Sequence, residues 1–284
     1  MARTARIKAS GDAFYHVTAR ITGQQFLLED RAVKEEMLDS LRRSAVFSGV
    51  QVGALAIMDN HVHILFLIPA VDSGTVPDEE VLARYEVLAG EEKARDLRER
   101  LDGMSERGDL LGREAALNRL RARMYDLSQF VKTFKEVFGR RFRKLHPYSG
   151  TIWGDRFKSC LVESGEYLAK CAKYIELNPV RARIVKHAED YAWNTSGLAK
   201  RGDAFARACL DWMRSVFTGD SPQDGWLMRR CGQIVTGKLF GSREFVEKGV
   251  KEFAGVLRSR RARARLAREG VYASHGFIAD RRAA

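Results

Sequence analysis

The sequence is short of the features that mark secreted scaffolds and membrane proteins. Only four of its 284 residues are cysteine, Cys160, Cys171, Cys209 and Cys231. They stand far apart with no CxxC pair, so neither a zinc knuckle nor a disulfide framework is signalled, and we read them as reduced, mostly buried thiols. No apolar run reaches the roughly 18 residues that a membrane span needs. The opening stretch MARTARIKASGDAFYHV lacks the apolar middle of a secretory signal, so a cytoplasmic location is expected. There is no internal repeat.

Positive charge, by contrast, is in excess. Lys and Arg number 49 against 37 Asp and Glu, a formal net charge of +12, in a chain whose 45% hydrophobic and 30% charged residues are ordinary for a globular protein. Such a balance favours a polyanionic partner, although alone it fits a solubility charge equally well. The length allows one large domain, or a domain with an appendage.

Hydrophobic patterning organises the first two thirds of the chain. AFYHVTARI, residues 13–21, is rich in β-branched and aromatic residues and reads as a strand. RAVKEEMLDSLRRSAVFSG places Val33, Met37, Leu38, Leu41 and Val46 near helical spacing, with Gly49 as a stop. Two more strands follow, joined at Asp59–Asn60, a dipeptide that tolerates tight-turn geometry. Residues 70–126 begin loop-like, become charge-dense with scattered leucines, and read as a helical insertion. LSQFVKTFKEVFGRRFRKL then aligns Phe130, Val131, Phe134, Val137 and Phe138 on one face of a helix. RFKSCLVES is extended, and a further helix runs from about Ser164 until Pro179 forces an end near Asn178. The order β-α-β-β-α-β-α is that of the ferredoxin-like split motif. The expected fold is therefore α+β: a ferredoxin-like antiparallel sheet with helices on one face, a helical insertion and a mostly helical C-terminal extension. The domain expectation is 1–197 for the α+β domain and 198–284 for the extension.

Chemistry concentrates in MDNHVHILFLIP, residues 58–69. Strand alternation points His61 and His63 one way and Val62, Ile64 and Phe66 the other. Two imidazoles aimed together suit a divalent metal, but the same spacing fits two histidines on the wet side of an edge strand. Tyr174 and Asn178, four apart in KYIELNP, share a helical face, so a phenol and an amide could meet the histidines. Alone, Tyr174 fits a packing tyrosine with a satisfied hydroxyl. His16, His146, His187 and His275 have no partner at ligand spacing and read as structural or solvated.

Taken together, YHVTAR, MDNHVHILF, GTIWGDRFKS, YLAKCAKYIELNPVRARIV and DYAWNTS resemble, in order, segments of the single-tyrosine HUH transposases, and within them the REP-associated tyrosine transposases. The likeness spans about residues 12–196. It implies that Tyr174 is the nucleophile on a DNA phosphodiester and that His61, His63 and Asn178 hold a divalent metal, Mg or Mn. It further implies a 5′-phosphotyrosine intermediate with a free 3′-hydroxyl, rejoining of strands without ATP, and single-stranded or hairpin (REP-like) DNA as partner, with the protein a monomer or homodimer. A free phenol, with a pKa of about 10, is a poor nucleophile at neutral pH without such help. Arg140, Arg141, Arg143, Lys144, Arg156 and Lys158 are candidates for DNA backbone contacts. So is the basic run of Arg258, Arg260, Arg261, Arg263, Arg265 and Arg268, which also fits a solvated helix face. Trp153 and Phe157 lie on the approach to the helix of Tyr174; core anchors are the plain reading of both, and the one taken for Phe157. The other readings are a domesticated DNA-binding regulator, which the intact His61, His63, Tyr174 and Asn178 oppose, and a replication-initiator or relaxase nickase. The lack of a GxxxxGK[ST] loop disfavours the latter.

Overall fold

The computed structural model describes residues 6–216 and 238–253. The elements follow the expected order: β1 (Ala13–Arg20), α1 (Arg31–Ser48), β2 (Gln51–Ile57), β3 (His61–Ile68), α5 (Leu127–Leu145), β4 (Lys158–Val162) and α6 (Glu166–Glu176). Between β3 and α5 lie α2 (Asp78–Ala89), α3 (Glu91–Glu106) and α4 (Leu110–Arg121). After α6 come α7 (Asn178–Arg181), α8 (Thr195–Lys200), α9 (Ala204–Val216), β5 (Leu239–Phe240) and α10 (Arg243–Glu252). Among the described residues no helix is long and apolar enough to cross a membrane.

These elements form two compact units that interleave along the chain. Of the described residues, one holds those up to Glu29, Val52–Leu67 and those that follow from Trp153; the other holds Asp30–Gln51 and Ile68–Ile152.

The first unit is built on a five-stranded sheet in the order β2-β3-β1-β4-β5. Only Met58, Asp59 and Asn60 separate β2 from β3, and the Met58 N–H donates to the His61 carbonyl at 2.9 Å. β1 pairs antiparallel with β4, setting His16 opposite Cys160 and Thr18 opposite Lys158. The expectation of an antiparallel sheet followed by a helical extension needs correcting here. β5 pairs parallel to β4, with Leu239 opposite Leu161. A two-residue strand inside TGKLFGS is too short to show a period of two, so its Gly and Ser neighbours read as a break. The other sheet edge is covered rather than open. The Ile57 N–H donates to the Trp193 carbonyl at 2.9 Å and the Leu55 N–H to Thr195 Oγ1 at 2.8 Å, while the Tyr191 hydroxyl donates to the Ile57 carbonyl at 2.7 Å. The DYAWNTS segment thus straps β2, blunting an edge that would otherwise invite pairing.

In the second unit, the Asp30 side chain caps α1 by accepting from the Ala32 N–H at 2.6 Å. The helix stops at Gly49, whose φ of 65° is left-handed, and a Cβ there would clash with the Tyr125 ring. Its inner stripe departs from expectation at one position: Val46 is 48% exposed, and Ala45 and Phe47 are buried instead. Helical spacing from Leu41 carries the stripe through Ser44, Ala45 and Ser48, so Val46 rotates outward. α1 packs with α5, which buries Phe130, Val131, Phe134, Val137 and Phe138 as expected. The charge-dense stretch forms real helices around Phe47, Val81, Leu97, Leu101 and Leu117. Arg121 ties them together, donating through Nε to the Val76 carbonyl at 2.9 Å and pairing with Asp78 and Glu114.

Candidate functional site

β3 lies between β2 and β1, so the edge-strand alternative for its histidines fails. Val62, Ile64 and Phe66 are fully buried on one face, while His63, on the other, is 2% exposed and His61 is half-buried. The neighbouring strand presents His16 and Thr18 to the same place. His16 Nε2 lies 2.9 Å from His63 Nδ1, and Thr18 Oγ1 lies 3.1 Å from that same atom. His61 Nδ1–H donates to Asn60 Oδ1 at 2.5 Å. Helix α6 lies on this face of the sheet, burying Leu168, Cys171, Tyr174 and Ile175 against Ala54, Ala56, Leu65, Cys160 and Val162. Its apolar contacts surround a polar island: the Tyr174 ring stands edge-on to His63 at 5.8 Å between centroids and to His16 at 5.9 Å. His61 and His63 are 4.9 Å apart by the same measure.

His16 is the member that sequence reasoning passed over. Ligand spacing is a within-strand criterion, and the link between His16 and His63 crosses 47 residues of chain. The available signal was alternation, which puts His16, Thr18 and Arg20 on one face of β1. Using it required knowing that β1 adjoins β3.

Burial governs the electrostatics. Desolvation holds His16 down to about 4, and with the positive charge of Arg20 it holds His61 down to about 3. His63 is held well below its usual range by burial first, then by its histidine neighbours, Arg20 and Arg181. All three rings are therefore neutral at pH 7 and carry lone pairs. Two arginines complete the surroundings. Arg20 has a buried Nε without a hydrogen-bond partner, and the Arg181 guanidinium lies 5.1 Å over the Tyr174 ring.

The helix carrying Tyr174 ends earlier than expected, at Glu176. Pro179 sits in the first turn of α7, where its missing N–H costs nothing, rather than terminating α6. Asn178 opens that turn. Its Nδ2 donates to the carbonyls of Tyr174 at 2.9 Å and Ile175 at 3.3 Å, so Oδ1 is the amide atom left for a ligand. Tyr174 itself is 3% exposed. Between them, Glu176 accepts through Oε2 from the Ser196 N–H at 3.0 Å, while its Oε1 is buried without a partner.

Two neutral imidazoles 4.9 Å apart between centroids supply nitrogen donors of the kind a divalent ion takes in mixed N/O sites. The His61 bond leaves Nε2 of that ring for ligation, in the manner of histidine ligands whose other nitrogen is held by an acceptor. Among the described residues no group of three or more His, Cys, Asp and Glu is placed to hold a metal. A third protein ligand beside the two histidines would thus be of another kind, such as an amide or a hydroxyl.

The basic candidates divide. Arg140, Arg143 and Lys144 are exposed on α5, Arg143 also donating to the Gly139 carbonyl at 3.2 Å. Arg141 turns to Glu36, at 2.5 Å, and to Asp39, so its charge is answered within the chain. Arg156 and Lys158 are exposed. Trp153 is buried and bridges to Ile21, as a core anchor should. Phe157 is half-buried instead, with the Arg6 guanidinium 3.5 Å over its ring. Cys160, Cys171 and Cys209 are buried, and burial pushes the Cys160 thiol up to about 12. Cys231, His275 and the arginines from Arg258 to Arg268 lie outside the described residues.

No family model matches the chain, and no curated protein matches it. Among solved structures it is similar to a REP-associated tyrosine transposase bound to a REP hairpin, at 14% identity, over 79% of this chain and 95% of that one, with a TM-score of 0.45. An identity and a score this low carry no functional assignment to this chain.

Proposed function

We propose that this protein is a metal-dependent strand transferase that cleaves and rejoins single-stranded DNA, in the manner of a transposase, with Tyr174 as nucleophile. The observation that carries the reading is the meeting, on one sheet face, of two β3 histidines with the ring of a tyrosine more than a hundred residues away, 5.8 Å from His63.

The roles follow from the chemistry of each group. The Tyr174 oxygen attacks phosphorus and a P–O(Tyr) bond forms as the P–O3′ bond breaks. The phenol gives up its proton and the departing 3′-oxygen gains one. The phosphodiester becomes a 5′-phosphotyrosine, and a second 3′-hydroxyl reverses the step. His61, His63 and the Asn178 Oδ1 would hold Mg or Mn, which when bound neutralises charge on a nonbridging phosphate oxygen. Arg20 and Arg181 add fixed positive charge beside the histidines and over the Tyr174 ring, where a phosphate would sit. Arg156, Lys158, Arg140, Arg143 and Lys144 supply backbone contacts from exposed positions, and hairpin (REP-like) DNA is the form of single strand we propose.

A second reading has one observation in its favour. Tyr174 is 3% exposed, which suits a DNA-binding regulator of the same fold whose tyrosine only packs. Incubation of the protein with labelled single-stranded DNA from the flanks of its own gene, with Mg or Mn, separates the two. The strand-transferase reading expects a covalent protein–DNA adduct and a cut strand; binding with neither supports the regulator.

A further inference from the structure

We propose that His16 is a positioning residue: its Nε2 accepts the Nδ1 proton of His63 and thereby holds His63 in the tautomer whose Nε2 is open to a divalent cation. The proposal rests on the reading of His63 as a metal ligand. Its basis is a 2.9 Å separation between two imidazole nitrogens. At that distance a single proton lies between two neutral rings, and one donates while the other accepts. If His16 donated, the remaining proton of His63 would occupy Nε2 and that atom could not ligate. If His63 donates, Nε2 keeps its lone pair.

Two neighbours bear on which arrangement holds. Thr18 Oγ1, 3.1 Å from the same His63 nitrogen, can accept a share of that proton, so a donating Nδ1 is satisfied from two sides. His61, two residues along the same strand face, shows the pattern independently: its Nδ1 faces Asn60 Oδ1, an atom that can only accept. An acceptor behind each ring is how histidine ligands are kept in one tautomer and one orientation. His16 is itself held in place, 3% exposed, opposite Cys160 on β4 and edge-on to Tyr174. The ring that sequence spacing dismissed is thus the backing of the ligand that spacing identified.

The test has two arms, neither of which reads catalysis. Long-range ¹⁵N–¹H correlation of the imidazoles in metal-free wild-type protein at neutral pH reports the tautomer of His63. Nδ1–H is expected, and Nε2–H overturns the proposal without any variant having to fold. Titration with Mn²⁺ is the second arm. His16→Leu should weaken Mn²⁺ binding by about 10- to 100-fold, whereas His16→Gln, whose amide oxygen can accept the same proton, should stay within a few-fold of wild type. Equal affinity in wild type and folded His16→Leu overturns the proposal. Wild-type protein that binds no Mn²⁺ would sink the metal reading instead, and the tautomer measurement would still decide the role of His16.

Discussion

Acidifying the metal-free protein from pH 7 to pH 5 should remove about 2 kcal/mol of folding stability for each of His16 and His61. His16 sits near 4 and His61 near 3 in the fold, and His63 is well below 6.5, whereas each ring should return to about 6.5 when the chain unfolds. The folded values are depressed, so the unfolded chain binds more protons across this window. Stability is then present above 6.5 and falls with pH. Because His16 and His61 stay neutral in the fold at pH 5, their loss is set by the unfolded side alone and is insensitive to how far below 5 each of the two folded values lies. Those two rings give about 4 kcal/mol, a large part of the whole stability of many domains, and His63 adds a loss of the same sign. His61 is only half-buried and contributes up to its share. Glu176, raised by burial, works in the opposite sense and gains stability as the pH falls. Urea unfolding in EDTA at pH 7, 6 and 5 measures the effect free of metal linkage. His16→Leu should lower the drop by about 2 kcal/mol. A stability flat across this window, or a slope the variant leaves unchanged, would refute the claim that these rings are buried and neutral.

Three further outcomes separate the site from its scaffold. His61→Ala and His63→Ala should each abolish metal-dependent strand cleavage with the fold retained, as checked by circular dichroism and a gel cleavage assay. Val62→Ala, on the opposite and fully buried face, should cost about 1–3 kcal/mol in urea unfolding and touch the site only indirectly. Arg141→Ala should leave DNA affinity unchanged because Glu36 and Asp39 already answer its charge, whereas Arg156→Ala should weaken binding and lower the slope of log K against log salt by roughly 0.7 on single strands.

What was legible in the sequence follows from the range of each signal. Periodicity is local, so β1, α1, β3 and α5 could be read to within a residue or two, and alternation alone oriented His61 and His63. Strand order is not local. That β3 is interior and adjoins β1 decides whether two histidines are wet or buried, and no spacing within residues 58–69 carries that information. His16 was missed for this reason. Phe157 was misjudged because a half-buried ring with an arginine stacked on it has the same composition as a core anchor. The Asn178 amide was expected to face the histidines from the face of one continuous helix. The helix is interrupted at Leu177, and half of that amide is spent on α6 carbonyls. Short elements such as β5 escape pattern reading altogether, since two residues define no period.

Mapping a covalent DNA adduct to its residue tests the central claim most directly. Wild-type protein should be incubated with single-stranded DNA from the flanks of its gene in Mg or Mn, digested, and analysed by mass spectrometry, alongside Tyr174→Phe. That variant removes one oxygen and keeps a ring beside His16, His63 and Arg181. The account predicts a 5′-phosphonucleotide on Tyr174 in the wild type, and no adduct in the variant at a DNA affinity within a few-fold of wild type. An adduct that persists in Tyr174→Phe, or that maps to another residue, would contradict it.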